Sequence, residues 1–355
     1  GNYKTKDKVI RREVKIFPGD KITSEKLQKS FNNLFDLNYF DKINIYPEFT
    51  GTNTADIVVD VEEKAKTGMF LIGGGYSSVE DVVGMISISQ SNFDITNPPK
   101  FTGGGQQLSL MAQFGTQTNS YKISFTEPYF LDKPVWFGTD LYRTRRLFSD
   151  YTDERTGGAL RLGRRWEKAS LGLTGRIEGI TLSDIDIPSL AWQEGDYRKN
   201  SITGTFMYSA LDRKRSPNRG IRSEVSLEYA GDTLGGDVNF LKPILENDIY
   251  YPVGILTFHS KTYAGAVEEI GDTEEIPIYE RFFGGGIGTV RGYEERSLGP
   301  KDGNYPLGGQ AVFAQNFELI YPLYQDILKG VLFFDAGNVW EDWDSIDELR
   351  KGLGA

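Results

Sequence analysis

The chain has no cysteine and a single histidine. The first absence excludes disulfides and thiolate metal sites, although it does not fix the redox compartment. The second leaves His259 as the one base available to a Ser-His-Asp arrangement, and no G-x-S-x-G elbow accompanies it. Beside Phe258 on an alternating run, His259 reads as a buried or inward-facing polar residue. No run approaches the roughly 18 consecutive apolar residues of a transmembrane helix. Positive charge is also in deficit: 40 lysines and arginines face 50 acidic residues, a net charge of -10, which argues against nucleic acid as the partner. The glycine runs at 73–75, 103–105 and 284–286 lack G-x-G-x-x-G spacing and lead into no helix, so they are not phosphate cradles. Asp342, Asp344, Asp347 and Glu348 lack the glycine and terminal glutamate of a calcium loop and read as a solvated loop. These residues imply no cofactor, no metal and no catalysis.

What the chain does contain changes character near residue 66. Before it, Val9, Ile10 and Val14 fall at near-helical spacing, and Pro18-Gly19 breaks the chain. Thr23 or Ser24 caps a second helix in which Leu27, Phe31, Leu34 and Phe35 share one apolar face. Ile43 and Ile45 open a strand. After a turn at Gly51, Ala55, Ile57, Val59 and Val61 alternate in another. Helix, helix, strand, strand over 1–66 resembles a POTRA domain, a small α+β module, with its expected first strand absent.

From Thr67 onward the helical period gives way to runs of about 10 residues with period two. Leu108, Leu110, Ala112 and Phe114 alternate with polar neighbours, as do Ile221, Val225, Leu227 and Tyr229. Leu171, Leu173 and Ile177 share a parity, and so do Ile202, Phe206 and Tyr208. The mean hydropathy of -0.40 would suit a soluble protein. A membrane β-barrel escapes that rule because only every second strand residue faces lipid. Aromatics near run ends, such as Tyr129, Phe130, Trp136, Tyr250, Tyr251 and Tyr321, suit interfacial girdles. About 13 runs are present, opening near 68, 82, 105, 119, 135, 155, 168, 200, 220, 238, 254, 310 and 327, and the last residues read as the start of another. The expected fold is an antiparallel transmembrane β-barrel over 67–355.

Between two of these runs lies a long, glycine-rich stretch within 270–309 that is too apolar for a solvated linker: it holds Phe282, Phe283, Val290, Tyr293, Leu298 and Tyr305. Its ordered features are Glu280-Arg-Phe-Phe-Gly-Gly-Gly, then Val290, Arg291, Gly292 and Tyr293, then Leu298-Gly299-Pro300 and Gly308-Gly309. In this order, just ahead of a strand, they resemble the signature of the Omp85 superfamily, and in particular its outer-membrane assembly branch. Further stretches extend the resemblance along nearly the whole chain: 124–130, the Leu211–Gly220 turn, 317–322 and 333–340.

The resemblance implies a barrel of about 16 strands, so that some three C-terminal strands lie beyond this chain. It implies a periplasmic POTRA module and a signature loop on the extracellular side, folded back into the lumen. It also implies that Arg291 contacts an acidic and aromatic cluster, to which Glu318, Phe333 and Asp335 match. Parity agrees with that placement. Phe313, Phe317, Leu319 and Tyr321 take the lipid face with Gln315 awkwardly among them, and Asn316 and Glu318 face inward. Leu332, Phe334 and Ala336 face lipid, and Phe333 and Asp335 face inward. The implied function is insertion of β-barrel proteins into the outer membrane. The partners would be unfolded barrel clients, accessory lipoproteins and the lipid bilayer. A secretion pore of the same superfamily is the alternative. The first barrel strand, Thr67–Ser78, carries Gly73, Gly74 and Gly75, which either weaken a lateral seam or mark a bulge. The POTRA strand edge at Ile43 and Ile45 would receive extended segments.

Overall fold

The computed structural model describes residues 1–77, 81–324 and 328–355. Ser78, expected in the first barrel strand, and position 327, expected to open the last long one, lie outside the described residues. Two compact units are present. One comprises Gly1–Gly75, Val83–Phe114 and Ser120–Asp140; the other comprises Tyr76–Val82, Gly115–Asn119 and Leu141–Ala355.

The first unit begins with α1 (Asp7–Arg11), α2 (Ser24–Leu37), β1 (Phe40–Phe49) and β2 (Ala55–Glu63). Thr23 caps α2, its hydroxyl accepting from the Lys26 amide at 3.3 Å, and Asn38 ends the helix in the left-handed region. β1 and β2 pair antiparallel, with Ile43 opposite Val61 and Ile45 opposite Val59. Val9, Ile10, Leu34, Tyr39, Phe40 and Val61 form the core, against which Leu37, Ile43, Ile45 and Val59 pack. Two expectations fail here. α1 ends before Val14. Phe35 is 65% exposed and stacks on Phe31, while Ser30 is buried in the α2 face. A serine is tolerated there because its hydroxyl donates to the Lys26 carbonyl and accepts from the Lys15 amide, both at 2.8 Å.

The strands that follow are β3 (Gly68–Ser77), β4 (Asp81–Phe93), β5 (Gln106–Gly115), β6 (Thr118–Glu127), β7 (Val135–Leu147), β8 (Thr152–Arg165), β9 (Ala169–Ser183), β10 (Gly195–Ser209), β11 (Gly220–Ala230), β12 (Phe240–Val253) and β13 (Leu256–Ala266). The short β14 (Glu268–Glu269), β15 (Lys301–Asp302) and β16 (Tyr305–Pro306) precede β17 (Ala311–Tyr324), β18 (Leu328–Trp340) and β19 (Arg350–Gly354). Neighbours follow chain order from β3 to β13 and then β17, β18 and β19, with β14 added to β12. Each long run expected from the period-two pattern is a strand, and the terminal run is β19, paired with β18.

Parity sorts the faces. Leu171, Leu173 and Ile177 of β9, Phe206 of β10, and Val225 and Leu227 of β11 are exposed on one face. On the other, an apolar cluster gathers Ile180, Leu182, Phe240, Val312 and Val339 from strands with Ile276, Ile278, Tyr279 and Phe282 from the connection after β14. The girdle assignment needs two corrections. Tyr129 lies beneath the Arg12 guanidinium, 4.3 Å from its ring centroid. Tyr250 stacks on His259 with centroids 4.2 Å apart, so it serves the polar face.

Candidate functional site

The connection between β14 and β17 is held to itself before it is held to the sheet. Phe282 and Gly309 exchange two backbone hydrogen bonds, at 2.8 and 2.9 Å. The Leu298 amide donates to the Gly284 carbonyl at 3.0 Å, and the Gly286 amide to the Tyr293 carbonyl at 3.0 Å. A 3-10 turn over Ile278–Glu280 and the β15–β16 hairpin lie within it, so the loop has elements that its glycine-rich sequence concealed. Phe282, Val290 and Leu298 are buried, whereas Tyr305 stays at the surface.

At the tip, the structure brings together four of the expected side chains. Arg291 grips Asp335 with two parallel bonds of 2.7 Å, from Nε to Oδ2 and from Nη2 to Oδ1. Its own backbone amide donates to Oδ2 at 2.9 Å. Nη1 donates to Glu318 Oε1 at 2.7 Å. The guanidinium carbon lies 3.8 Å from the centre of the Phe333 ring. A planar fork is the one side chain that can hold a carboxylate bidentately, reach a second and stack on an aromatic face at once. Asp335 is fully buried, and the Arg291 side chain is 22% exposed. Gly292 turns the backbone at φ 92, a conformation strained for residues that carry a Cβ. A Cβ on Gly352 of β19 would come within 2.1 Å of the Arg291 carbonyl oxygen, so the motif packs flush against backbone. Val290 beside it is buried and Tyr293 half-buried.

The polar chain continues through Glu318. Its Oε2 lies 2.9 Å from His259 Nδ1, and His259 Nε2 lies 3.0 Å from Asp248 Oδ1. Both ring nitrogens of the one histidine are therefore engaged. Asn316 donates to the Thr289 carbonyl at 2.6 Å. Gln315, awkward on the opposite face, is satisfied there: Thr262 donates to its Oε1 at 2.7 Å, and its Nε2 donates to Ser260 Oγ at 3.0 Å.

Sequence reasoning missed a second anchor at the root of the loop. Glu280 is buried and meets Lys199 at 2.9 Å, Lys242 at 3.1 Å and Arg155 at 3.6 Å. Lys242 also donates to the Glu280 carbonyl at 2.7 Å, and Arg155 to the Tyr279 carbonyl at 2.9 Å. Lys199 in turn lies 3.0 Å from Glu178, which accepts from the Tyr142 hydroxyl at 2.6 Å. Burial pushes the Glu280 carboxyl upward, but Lys199, Lys242 and Arg155 outweigh it and hold the group well below the usual carboxylate range. A third contact sits between the two: the Arg296 guanidinium lies 3.6 Å from the Phe283 ring centre and 4.1 Å from that of Phe148, and 3.5 Å from Asp150. Glu280 opens the Glu280–Gly286 run of the signature. Its odd position, an acid amid Ile278, Tyr279, Phe282 and Phe283, was the available signal.

The remaining expected residues lie elsewhere. β3 ends the strand order, and Gly68 to Tyr76 are all exposed. Gly73, Gly74 and Gly75 are extended, none at positive φ, and a Cβ on Gly73 or Gly75 would meet nothing within 4 Å. They do not mark a bulge with a left-handed residue. β1 pairs with β2 alone among the described residues, and the Ile43 and Ile45 side chains turn into the module core. What β1 offers outward there is backbone.

The geometry can be set beside known proteins. The Omp85 superfamily domain matches residues 100–353, and the POTRA family, described as a surface antigen variable number repeat, matches residues 1–64. The outer membrane protein assembly factor BamA of Nitratidesulfovibrio vulgaris is 32% identical over the whole chain, and that of Neisseria meningitidis 26%. The chain spans 45% and 47% of the length of these two relatives. Among solved structures, BamA from Haemophilus ducreyi lacking POTRA domains 1-3 superposes with a TM-score of 0.78 at 21% identity, covering 95% of this chain and 70% of that one. CdiB from Acinetobacter baumannii superposes at 0.58 and 15% identity, covering 99% and 65%. Family matches over both segments, whole-chain identity to assembly factors and the loop signature agree: the chain belongs to the Omp85 superfamily.

Proposed function

We propose that this chain is part of an insertase that places β-barrel proteins into a bacterial outer membrane. The observation that carries the reading is the 32% identity to an assembly factor over the whole chain, which takes in the signature loop and β3 alike. The likeness to CdiB is one of fold and favours no second reading. The POTRA module lies in the periplasm, and the loop between β14 and β17 enters from the extracellular end and folds back into the lumen. There Arg291, gripping Asp335 and Glu318, holds it against β17 and β18 as a latch.

Insertion needs no nucleotide. A client strand adds to an exposed edge, and the free energy comes from backbone hydrogen bonds and buried apolar faces. β3 suits that role. It ends the strand order, and each of its three glycines costs roughly 0.5–1 kcal/mol of strand stability relative to alanine. The β1 edge near Ile43 and Ile45 would receive extended client segments or accessory lipoproteins by the same addition, with Pro47 limiting its length.

The test uses the full-length protein in lipid vesicles, with a chemically unfolded barrel protein as client. A disulfide joining β3 to the strand that closes the barrel should abolish client insertion, and reduction should restore it. Insertion at the unlocked rate by the locked protein removes the seam from the mechanism. Failure of the unlocked protein to accelerate insertion at all overturns the insertase reading.

A further inference from the structure

Outside the signature loop, several turns at the two ends of the strands in the second unit differ sharply in charge. The loops at 148–151, 184–194, 231–239 and 341–349 contain acidic residues and no lysine or arginine. At the opposite ends, the β8–β9 turn and the β10–β11 turn contain Lys168, Arg213, Lys214, Arg215 and Arg219 against Glu167 and Asp212. These turns are neighbours, since the Ser209 amide donates to the Lys168 carbonyl at 2.7 Å. Asp212 is consumed within its own turn, accepting from the Asn218 and Arg219 amides at 3.1 and 3.2 Å. The basic side chains are exposed. In a chain of net charge -10, this concentration of cations is local rather than general.

The patch continues an apolar surface. Leu160 and Leu162 are exposed on the lipid-facing parity of β8, and Arg164 follows on the same parity, with Trp166 beyond it. The Arg164 guanidinium lies 5.4 Å from the Trp166 ring centre, and Trp166 is 45% exposed. An exposed indole next to an arginine, at the limit of an aliphatic band, is the arrangement that seats a side-chain pair at the headgroup level of a bilayer.

We propose that the β8–β9 and β10–β11 turns form a binding site for anionic phospholipid headgroups, with Trp166 at the acyl boundary and Lys168, Lys214, Arg215 and Arg219 around the phosphate. They lie opposite the signature loop, so the lipid belongs to the periplasmic leaflet. The site rests on membership of the superfamily and on that orientation, not on client insertion. Its role is to fix the depth of the sheet in the membrane and to collect negatively charged lipid beside β8 to β11. A diester phosphate offers acceptor oxygens to several cations at once, and each lysine or arginine near a membrane surface favours anionic lipid by about fivefold.

The test reconstitutes full-length protein in phosphatidylcholine vesicles containing either brominated phosphatidylglycerol or brominated phosphatidylcholine at equal fraction. Quenching of the Trp166 signal is obtained as the difference between the protein and its Trp166→Phe variant. The expected result is an enrichment of phosphatidylglycerol at Trp166 of at least about fivefold, the contribution of a single cation, that falls with added salt. In the quadruple variant Lys168→Gln, Lys214→Gln, Arg215→Gln, Arg219→Gln it should fall to near one. Heat-modifiable mobility on a gel verifies that the variant is folded. Should it fail to fold, Lys214→Gln with Arg215→Gln alone should lower the enrichment at least severalfold. Equal quenching by the two lipids in the unaltered protein overturns the site. So does enrichment that survives charge removal. Equal quenching together with charge-dependent crosslinking to an acidic periplasmic protein assigns the patch to that protein instead.

Discussion

The signature loop is held at two charged points that solve the same problem differently. At the tip, one cation, Arg291, serves two carboxylates and an aromatic ring from a partly wetted position. At the root, one almost wholly buried carboxylate, Glu280, serves three cations, of which Lys199 is buried with it and Arg155 reaches partly into solvent. The tip gains from geometry, since a bidentate fork over a ring tolerates residual solvent. The root depends on charge balance in a poorly solvated site, where an unpaired ion costs far more than a pair contributes.

Breaking the root should therefore have the largest effect. Glu280→Gln leaves Lys242 with amide and carbonyl oxygens only, and should cost about 3–5 kcal/mol. The expected readout is loss of the heat-modifiable folded form and of the protein from the membrane. Adding Lys242→Met to it removes the orphaned charge and should recover part of that loss. A Glu280→Gln protein that folds in full yield would reduce the root to an ordinary polar contact.

Breaking the tip should cost less. An exposed pair is worth about 0–1 kcal/mol and a broken buried one roughly 3–5 kcal/mol. With Asp335 buried and Arg291 partly exposed, Arg291→Ala should lie between them, at about 2 kcal/mol. The fold should survive, the loop should become sensitive to protease and client insertion should slow. Arg291→Lys should restore only part, because an ammonium cannot make the fork. Loop resistance and insertion both unchanged in Arg291→Ala would remove the latch.

The same contrast explains what could be read from the sequence. The strands were legible because period-two alternation is local, and each run declares its own faces. The tip was legible because the family resemblance implies an acidic and aromatic cluster around Arg291, and parity puts Glu318, Phe333 and Asp335, on the two strands after the loop, on the inner face. The root was not, because its cations stand on β8, β10 and β12, and no local pattern links Arg155, Lys199 and Lys242 to Glu280. The misreading of Phe35 and Tyr250 has a related cause. Apolar character alone sets no direction: Ser30 has backbone partners that let it occupy the buried face of α2, and Tyr250 stacks on His259, whose partners lie on the polar face.

A smaller effect should follow from Gly292→Ala. Its φ of 92 lies where a Cβ strains the backbone, yet nothing stands within 4 Å of that Cβ. The cost is thus conformational alone, about 1 kcal/mol. Loop protease resistance should fall measurably below that of the unaltered protein and remain above that of Arg291→Ala. Equality with Arg291→Ala would mean that the turn, rather than the guanidinium, positions the tip.

The smallest expected effect is that of mild acid on the root. Glu280 has a depressed folded-state pKa because Lys199, Lys242 and Arg155 outweigh the opposing effect of burial. A depressed carboxyl contributes in full above its unfolded value of about 4.3, and the contribution is lost only as pH falls through the folded value. Asp150, beside Arg296, is shifted the other way, upward by burial against the pull of that guanidinium. Its cost to stability is relieved, not increased, as pH falls through the raised value. Neither group loosens the loop root between about pH 8 and pH 5. Protease cleavage near Glu280, followed across that range in lipid vesicles, should stay flat. A rise in cleavage by pH 5 would show that the carboxylate is not held by its three cations.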